Sequence, residues 1–211
     1  MSTPLSYTEF LWKSSNAHGV HSPFVFAIVT NSFYAKHFRL GKSEYHALPA
    51  GLNYKKTALL YRLIRHFKAT KLLVLGEGAA PVIDTLRQLG ENSKLQLWFF
   101  SPIAPIPGGI EIGIISDISK TEILSSFEQI AANTNNNSVC VIDNIHSTLY
   151  REEAWEAIKK DPRVTVTIDT YHVGLVFFRR ESAKQHFTIR AYTNFFLNAF
   201  VGIRSLWGLL G

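Results

Sequence analysis

Cysteine is almost absent from this chain of 211 residues: Cys140 is the only one. An internal disulfide is therefore excluded, which suits a reducing compartment. Long apolar runs are missing too. Nowhere do about 18 apolar residues follow one another, so no spanning helix is expected. The opening residues, Met1-Ser2-Thr3-Pro4-Leu5-Ser6-Tyr7, lack the basic flank and apolar run of a signal peptide. These absences lead us to expect a cytoplasmic protein. Acids are scarce in particular places. Up to Gly76, ten Lys/Arg face only Glu9 and Glu44, a formal +8; the whole chain carries +6, so the remainder carries −2. No acid follows Glu181. A basic N-terminal third either attracts an anionic surface or nucleotide, or is a solvated helix face. No strong nucleic-acid signal accompanies it.

What is present is an apolar core. A 46% hydrophobic and 13% aromatic composition supports one substantial globular unit, with room for an appended helical part. Val139-Cys140-Val141-Ile142 reads as a strand buried on both faces, as in the middle of a parallel sheet. It runs straight into Asp143-Asn144-Ile145-His146. Polar groups at the carboxyl end of such a strand are candidate site residues, because ligands of open α/β sheets bind there. The alternative is an ordinary turn, since Asp and Asn are common turn residues.

The remaining elements follow in chain order. Tyr7 to Trp12 and Phe24 to Tyr34 read as short helices, the second capped by Ser22 with Pro23 in its first turn. Between them, His18 and His21 form either a metal or proton-transfer pair or backbone ties around a tight connection. Asn53 precedes an amphipathic helix with Leu59, Leu60, Leu63, Ile64 and Phe67 as its apolar stripe; Lys55, Lys56, Arg62, Arg65 and Lys68 lie mostly off it. Leu72 to Leu75 is a buried strand, followed by the small-residue turn Gly76-Glu77-Gly78-Ala79-Ala80 and a helix from Pro81 to about Leu89. Strand, small turn and helix is the layout that brings backbone amides up to a ligand, although small residues also serve close packing.

Leu95 to Phe100 reads as the next strand. The link Ser101 to Gly109 holds three prolines and two glycines, so it cannot be helical. Parallel neighbours normally need a longer, helical crossover, so a helix is expected to be missing here. Ile110 to Ile115 is a strand, and a helix starts at Ser119 or Thr121 and runs to about Ala132. Asn133 to Ser138 reads as a polar loop. Arg151 to Lys160 is helical; Val164 to Ile168 and Val173 to Phe178 form a hairpin, with a further edge strand at Phe187 to Arg190. Residues 194–211 are apolar and aromatic with one charge, Arg204. They suit core packing, a homodimer interface or a membrane surface.

Several of these stretches resemble a known family. Residues 16 to 26, Asn-Ala-His-Gly-Val-His-Ser-Pro-Phe-Val-Phe, look like the N-terminal signature of a group of bacterial class I S-adenosylmethionine-dependent methyltransferases, similar to the catechol-type O-methyltransferases. Val141-Ile142-Asp143-Asn144-Ile145-His146-Ser147, Ala154 to Ile158, Val166 to Asp169 and Gly174 to Phe178 resemble the family's C-terminal half. The resemblance covers most of residues 7 to 190. It implies an α/β fold: a doubly wound, mostly parallel, Rossmann-like sheet with an antiparallel C-terminal hairpin, one strand and helix short. A helical cap over residues 1–70, a core over 71–190 and an aromatic helix over 191–211 would be its parts.

The same resemblance implies a cofactor loop at Gly76, Glu77, Gly78 and Ala79 for S-adenosylmethionine. Departures are visible. Ala80 stands where a second glycine is expected, Val74 where an acid usually ends the first strand, and no acid lies between Lys94 and Ile110 to bind the ribose. The resemblance further implies a divalent metal, magnesium, on Asp143 and Asn144, with Asp117 as the nearest third ligand. Asp143, Asn144 and His146 would then address a small-molecule acceptor for O-methyl transfer. The other reading is a catalytically inactive descendant that serves as a binding or membrane-peripheral module.

Overall fold

The structure is a computed structural model, and it describes residues 4–15, 19–35, 38–49, 52–116 and 122–191. Asp117, His18 and the apolar segment 194–211 lie outside the described residues, so the expectations placed on them are not addressed by the fold.

Alternating apolar strands and amphipathic helices assemble as three layers. In order the elements are α1 (Tyr7–Lys13), α2 (Pro23–Ile28) running on into a π-helical turn (Val29–Phe33), α3 (Lys42–His46), α4 (Tyr54–Phe67), β1 (Lys71–Leu75), α5 (Ala79–Asn92), β2 (Trp98–Phe100), β3 (Ile110–Ile115), α6 (Ile123–Ala131), β4 (Thr134–Asp143), α7 (Leu149–Lys160), β5 (Val166–Asp169), β6 (Val173–Phe177) and β7 (Gln185–Thr188). The sheet order is β2-β1-β3-β4-β6-β5-β7. Pairings from β2 through β4 are parallel, β6 is antiparallel to β4 and β5, and β7 returns parallel to β5. The fold is a doubly wound α/β sheet.

Strand side chains alternate between two cores, as the period of two requires. Leu72, Ile112, Ile114, Val139 and Val141 face α2, α4 and α5. Leu73, Ile115, Cys140, Ile142 and Val176 face Phe127 and Ile130 of α6 and Trp155 and Ile158 of α7. Burial on both faces explains why β3 and β4 read as unbroken apolar runs. It also pushes the Cys140 thiol pKa up, so the thiol stays protonated. Gly113 is required by one close approach: a Cβ there would meet Ile130 Cγ2 at 2.5 Å.

The link 101–109 crosses from β2 over β1 to β3 without a helix. The expected shortening is present. Among the described residues seven strands nonetheless remain, because β7 adds one at the opposite edge. The link is held by asparagines: Ile106 N donates to Asn133 Oδ1 at 3.0 Å, and Asn135 Nδ2 donates to Gly108 O at 2.8 Å. Residues 134–138 are correspondingly not a loop, while Asn133 stays in the turn before them. Thr134 onward belongs to β4, with a register shift between Ile110 and Ile112 absorbing the extra residues.

Other boundaries differ as well. β2 starts at Trp98, not Leu95, because Leu95 N still closes the end of α5 on Gly90 O at 2.8 Å. α3 was not expected; it is five residues long, and Gly41 at its start offers no capping side chain. Among the described residues no helix is long and apolar enough to cross a membrane.

Candidate functional site

The strand order reverses between β1 and β3, so the carboxyl ends of β1, β3 and β4 open a crevice. Gly76 leaves β1 with φ 110°, a conformation open to glycine alone at little cost. Gly78 N then donates to Ser116 O at 3.1 Å, and Ser116 N donates to Leu75 O at 2.9 Å. The glycine turn is thus tied to the end of β3. Glu77 and Ala80 are exposed, while Gly78 and Ala79 are half-buried at the start of α5.

Lys56 joins this turn to the end of β4. Asn53 caps α4, its Oδ1 accepting from Lys56 N at 2.8 Å, which aims the first turn at the strand ends. Lys56 Nζ donates to Ser116 Oγ at 3.1 Å and pairs with Asp143 Oδ2. Both side chains are nearly sequestered, at 12% and 8% exposure. A chain of hydrogen bonds thus runs from Gly78 through Ser116 and Lys56 to Asp143. Lys56 itself was missed, since the stripe of α4 placed it on the polar face. A signal existed. A helix first turn favours carboxylates, yet here it holds Lys55 and Lys56 and no acid.

That lysine bears on the expected metal. Asp143 Oδ2 already meets an ammonium, and Asn144 has φ 53° with its backbone N–H on His172 O at 2.6 Å. Among the described residues no group of three His, Cys, Asp or Glu could hold a metal ion. The described residues do not fit magnesium, because the lysine ammonium supplies the positive charge that a cation would bring.

His146 sits behind the crevice. One ring nitrogen faces Glu152 Oε1 at 2.6 Å and the other Asp169 Oδ2 at 2.7 Å. Glu152 Oε1 also accepts from Leu5 N at 2.6 Å. Burial pulls the imidazole pKa down, but hydrogen bonds and charge from Asp169 and Glu152 outweigh it and the net direction is up. An imidazole with a carboxylate on each nitrogen is a doubly protonated strut, with both N–H groups committed.

A pH prediction follows. A folded pKa raised above the unfolded one contributes stability that is full below the unfolded value of 6.5 and lost as pH rises through the folded value. The urea midpoint should therefore fall as pH rises above 6.5, and His146→Gln should flatten that dependence. An unchanged slope in the variant would show that another group titrates.

In front of the crevice lies a cavity of about 400 Å³, bounded by α1, the start of α4, the ends of β4 and β6, and the residues after β7. Tyr7, Phe10 and Leu11 form its apolar side; Lys56, Asp143, Asn144, His172 and Arg190 form its polar side. The rings of Tyr7 and Tyr171 stand 5.0 Å apart and those of Phe10 and Tyr171 5.4 Å, which docks α1 on the β5–β6 turn. His172 stacks on Tyr7 at 6.1 Å. Burial and then Lys55 lower its pKa, against the smaller opposing pull of Asp143, so its imidazole is neutral at ordinary pH. Sequence reading missed His172, which follows a hairpin turn with no motif around it. His21 is exposed, and its partner in the sequence reading, His18, is not described.

No family model matches the chain, and no curated protein matches it at a significant level. Among solved structures, it is similar to the Bacillus cereus O-methyltransferase in complex with SAH, with a TM-score of 0.41 and 13% identity over 75% of this chain and 93% of that one. It is also similar to an SAH-bound methyltransferase from Podospora anserina, with a TM-score of 0.43 and 10% identity over 85% of this chain and 100% of that one. The sheet is Rossmann-like. That statement stands on the strand order of this chain, with its reversal between β1 and β3 and β6 inserted antiparallel between β4 and β5.

Proposed function

We propose that the chain is an S-adenosylmethionine-dependent methyltransferase-like protein that acts, without magnesium, on a hydroxyl of a small molecule. The observation that carries this reading is the joining of the glycine turn to the cavity through Ser116 and Lys56. Nucleoside site and acceptor site of such an enzyme must lie side by side, and the hydrogen-bonded chain from Gly78 to Asp143 supports that reading. The turn Gly76 to Ala79 and the start of α5 would hold the nucleoside through backbone amides. When bound, S-adenosylmethionine supplies an electrophilic methyl group.

The chain's own residues would do the rest. Asn144 and the Lys56–Asp143 pair offer hydrogen bonds that orient an acceptor hydroxyl. The neutral His172 imidazole accepts its proton. Tyr7 and Phe10 keep water from the face of the acceptor. Alignment of nucleophile and methyl group supplies most of such a rate. The missing carboxylate after β2 argues for a weakened nucleoside site: Phe100, Ser101 and Pro102 present no bidentate acceptor.

Isothermal calorimetry with S-adenosylmethionine and S-adenosylhomocysteine tests the reading. Binding is expected at high micromolar to millimolar concentration, lost in Gly76→Val. Silence at millimolar ligand would end the enzyme reading and leave the cavity as that of a binding module.

A further inference from the structure

Arg190 is a buried, charged cavity residue that the proposed chemistry does not use. It is 6% exposed and borders the cavity directly after β7. Its backbone is fixed on both sides: Arg190 N donates to Ser15 O at 3.2 Å, and Arg190 O accepts from Tyr34 Oη at 2.8 Å. Its guanidinium, by contrast, is poorly matched. Nη1 donates to Ser14 O and Oγ, both at 3.3 Å, while Nε is buried with no partner. No described carboxylate pairs with it.

A guanidinium cannot shed its proton. Burying it without a counter-charge is costly, so a site that keeps one has a use for it. Of the two lysines that also line the cavity, Lys55 and Lys56, Lys56 is already committed to Asp143. An anion entering the cavity would supply the charge that Arg190 lacks, and a guanidinium matches carboxylate or phosphate oxygens in geometry as well as charge. The walls decide between those two. Tyr7, Phe10, Leu11 and Leu59 offer apolar surface that a bare phosphate would not use.

We infer that this cavity binds a small carboxylate-bearing molecule with an aromatic or apolar body, its carboxylate set against Arg190. The inference depends on the proposed function only in calling that molecule the acceptor; the binding itself is testable without any nucleoside.

The test is calorimetry on the full chain with benzoate, benzamide and inorganic phosphate. Benzoate should bind, with benzamide at least about tenfold weaker, and Arg190→Gln should lose at least about tenfold for benzoate while Arg190→Lys loses less. Should Arg190→Gln fail to fold, Leu11→Trp on α1 fills the same cavity from its exposed side and should abolish benzoate binding at an unchanged melting temperature. Equal affinity for benzoate and benzamide, benzoate binding that survives both variants, or no benzoate binding would overturn the inference. Phosphate binding as tightly as benzoate would replace it with a bare-anion site. Benzoate binding together with silence toward S-adenosylmethionine would sink the enzyme reading and keep this one.

Discussion

Lys56→Met should cost about 3–5 kcal/mol of folding stability, because it removes one partner of a sequestered ion pair and leaves the Asp143 carboxylate without a cation. For a chain of this size the melting temperature should fall by roughly 10 °C. The methylene stem of lysine is kept by methionine, so lost packing is a minor part of the effect. Lys56→Met combined with Asp143→Asn should recover more than half of the loss, the mark of a coupled pair. A single-variant loss below about 1 kcal/mol would mean that the pair behaves as a solvent-screened surface bridge. Magnesium and chelator should both leave the wild-type melting temperature where it is. A magnesium-induced rise confined to Lys56→Met would identify a carboxylate corner that the lysine keeps closed to metal.

Trp155→Ala should be about as damaging, at about 3–5 kcal/mol. The ring is 1% exposed and fills the space that Gly174 leaves open: a Cβ on Gly174 would stand 2.7 Å from Trp155 Cζ3. Nothing smaller than the indole fits that notch without leaving a void. The same helix, α7, carries Glu152, which holds both His146 and Leu5 N. Loosening α7 should therefore also blunt the pH dependence attributed to His146. Denaturant unfolding measures the first effect and its repetition across pH the second. A loss under about 1.5 kcal/mol would show that α7 slides inward to close the gap.

The strands of this molecule were legible because burial on both faces writes itself as unbroken Val, Ile and Leu. α4 was legible because one face packs and the other does not. Asp143 and Asn144 stood out for the same reason, as polar residues ending such a run. The partners were not legible. Lys56 meets Asp143 across 87 positions and Tyr34 meets Arg190 across 156, so neither pairing leaves a local trace. The asparagine stretch misled for a physical reason: Asn133 and Asn135 look like loop residues, and they do bind a loop, but Asn135 does so from within β4 and Asn133 from the turn just before it. Magnesium was expected on Asp143, Asn144 and Asp117 without sight of Lys56, whose ammonium reaches Asp143 from α4; Asp117 lies outside the described residues.

Ser15 forms a parallel bridge with Ile189, and its N–H and Oγ both donate to Thr188 O, at 2.9 and 3.4 Å, closing the chain after α1 onto the end of β7. Residues up to Ile189 must therefore have left the ribosome before this clasp can shut. α1 meets Tyr171 of the β5–β6 turn first and is latched only afterwards, when β7 arrives. A chain cut before Gln185 should keep the first contact and lose the latch.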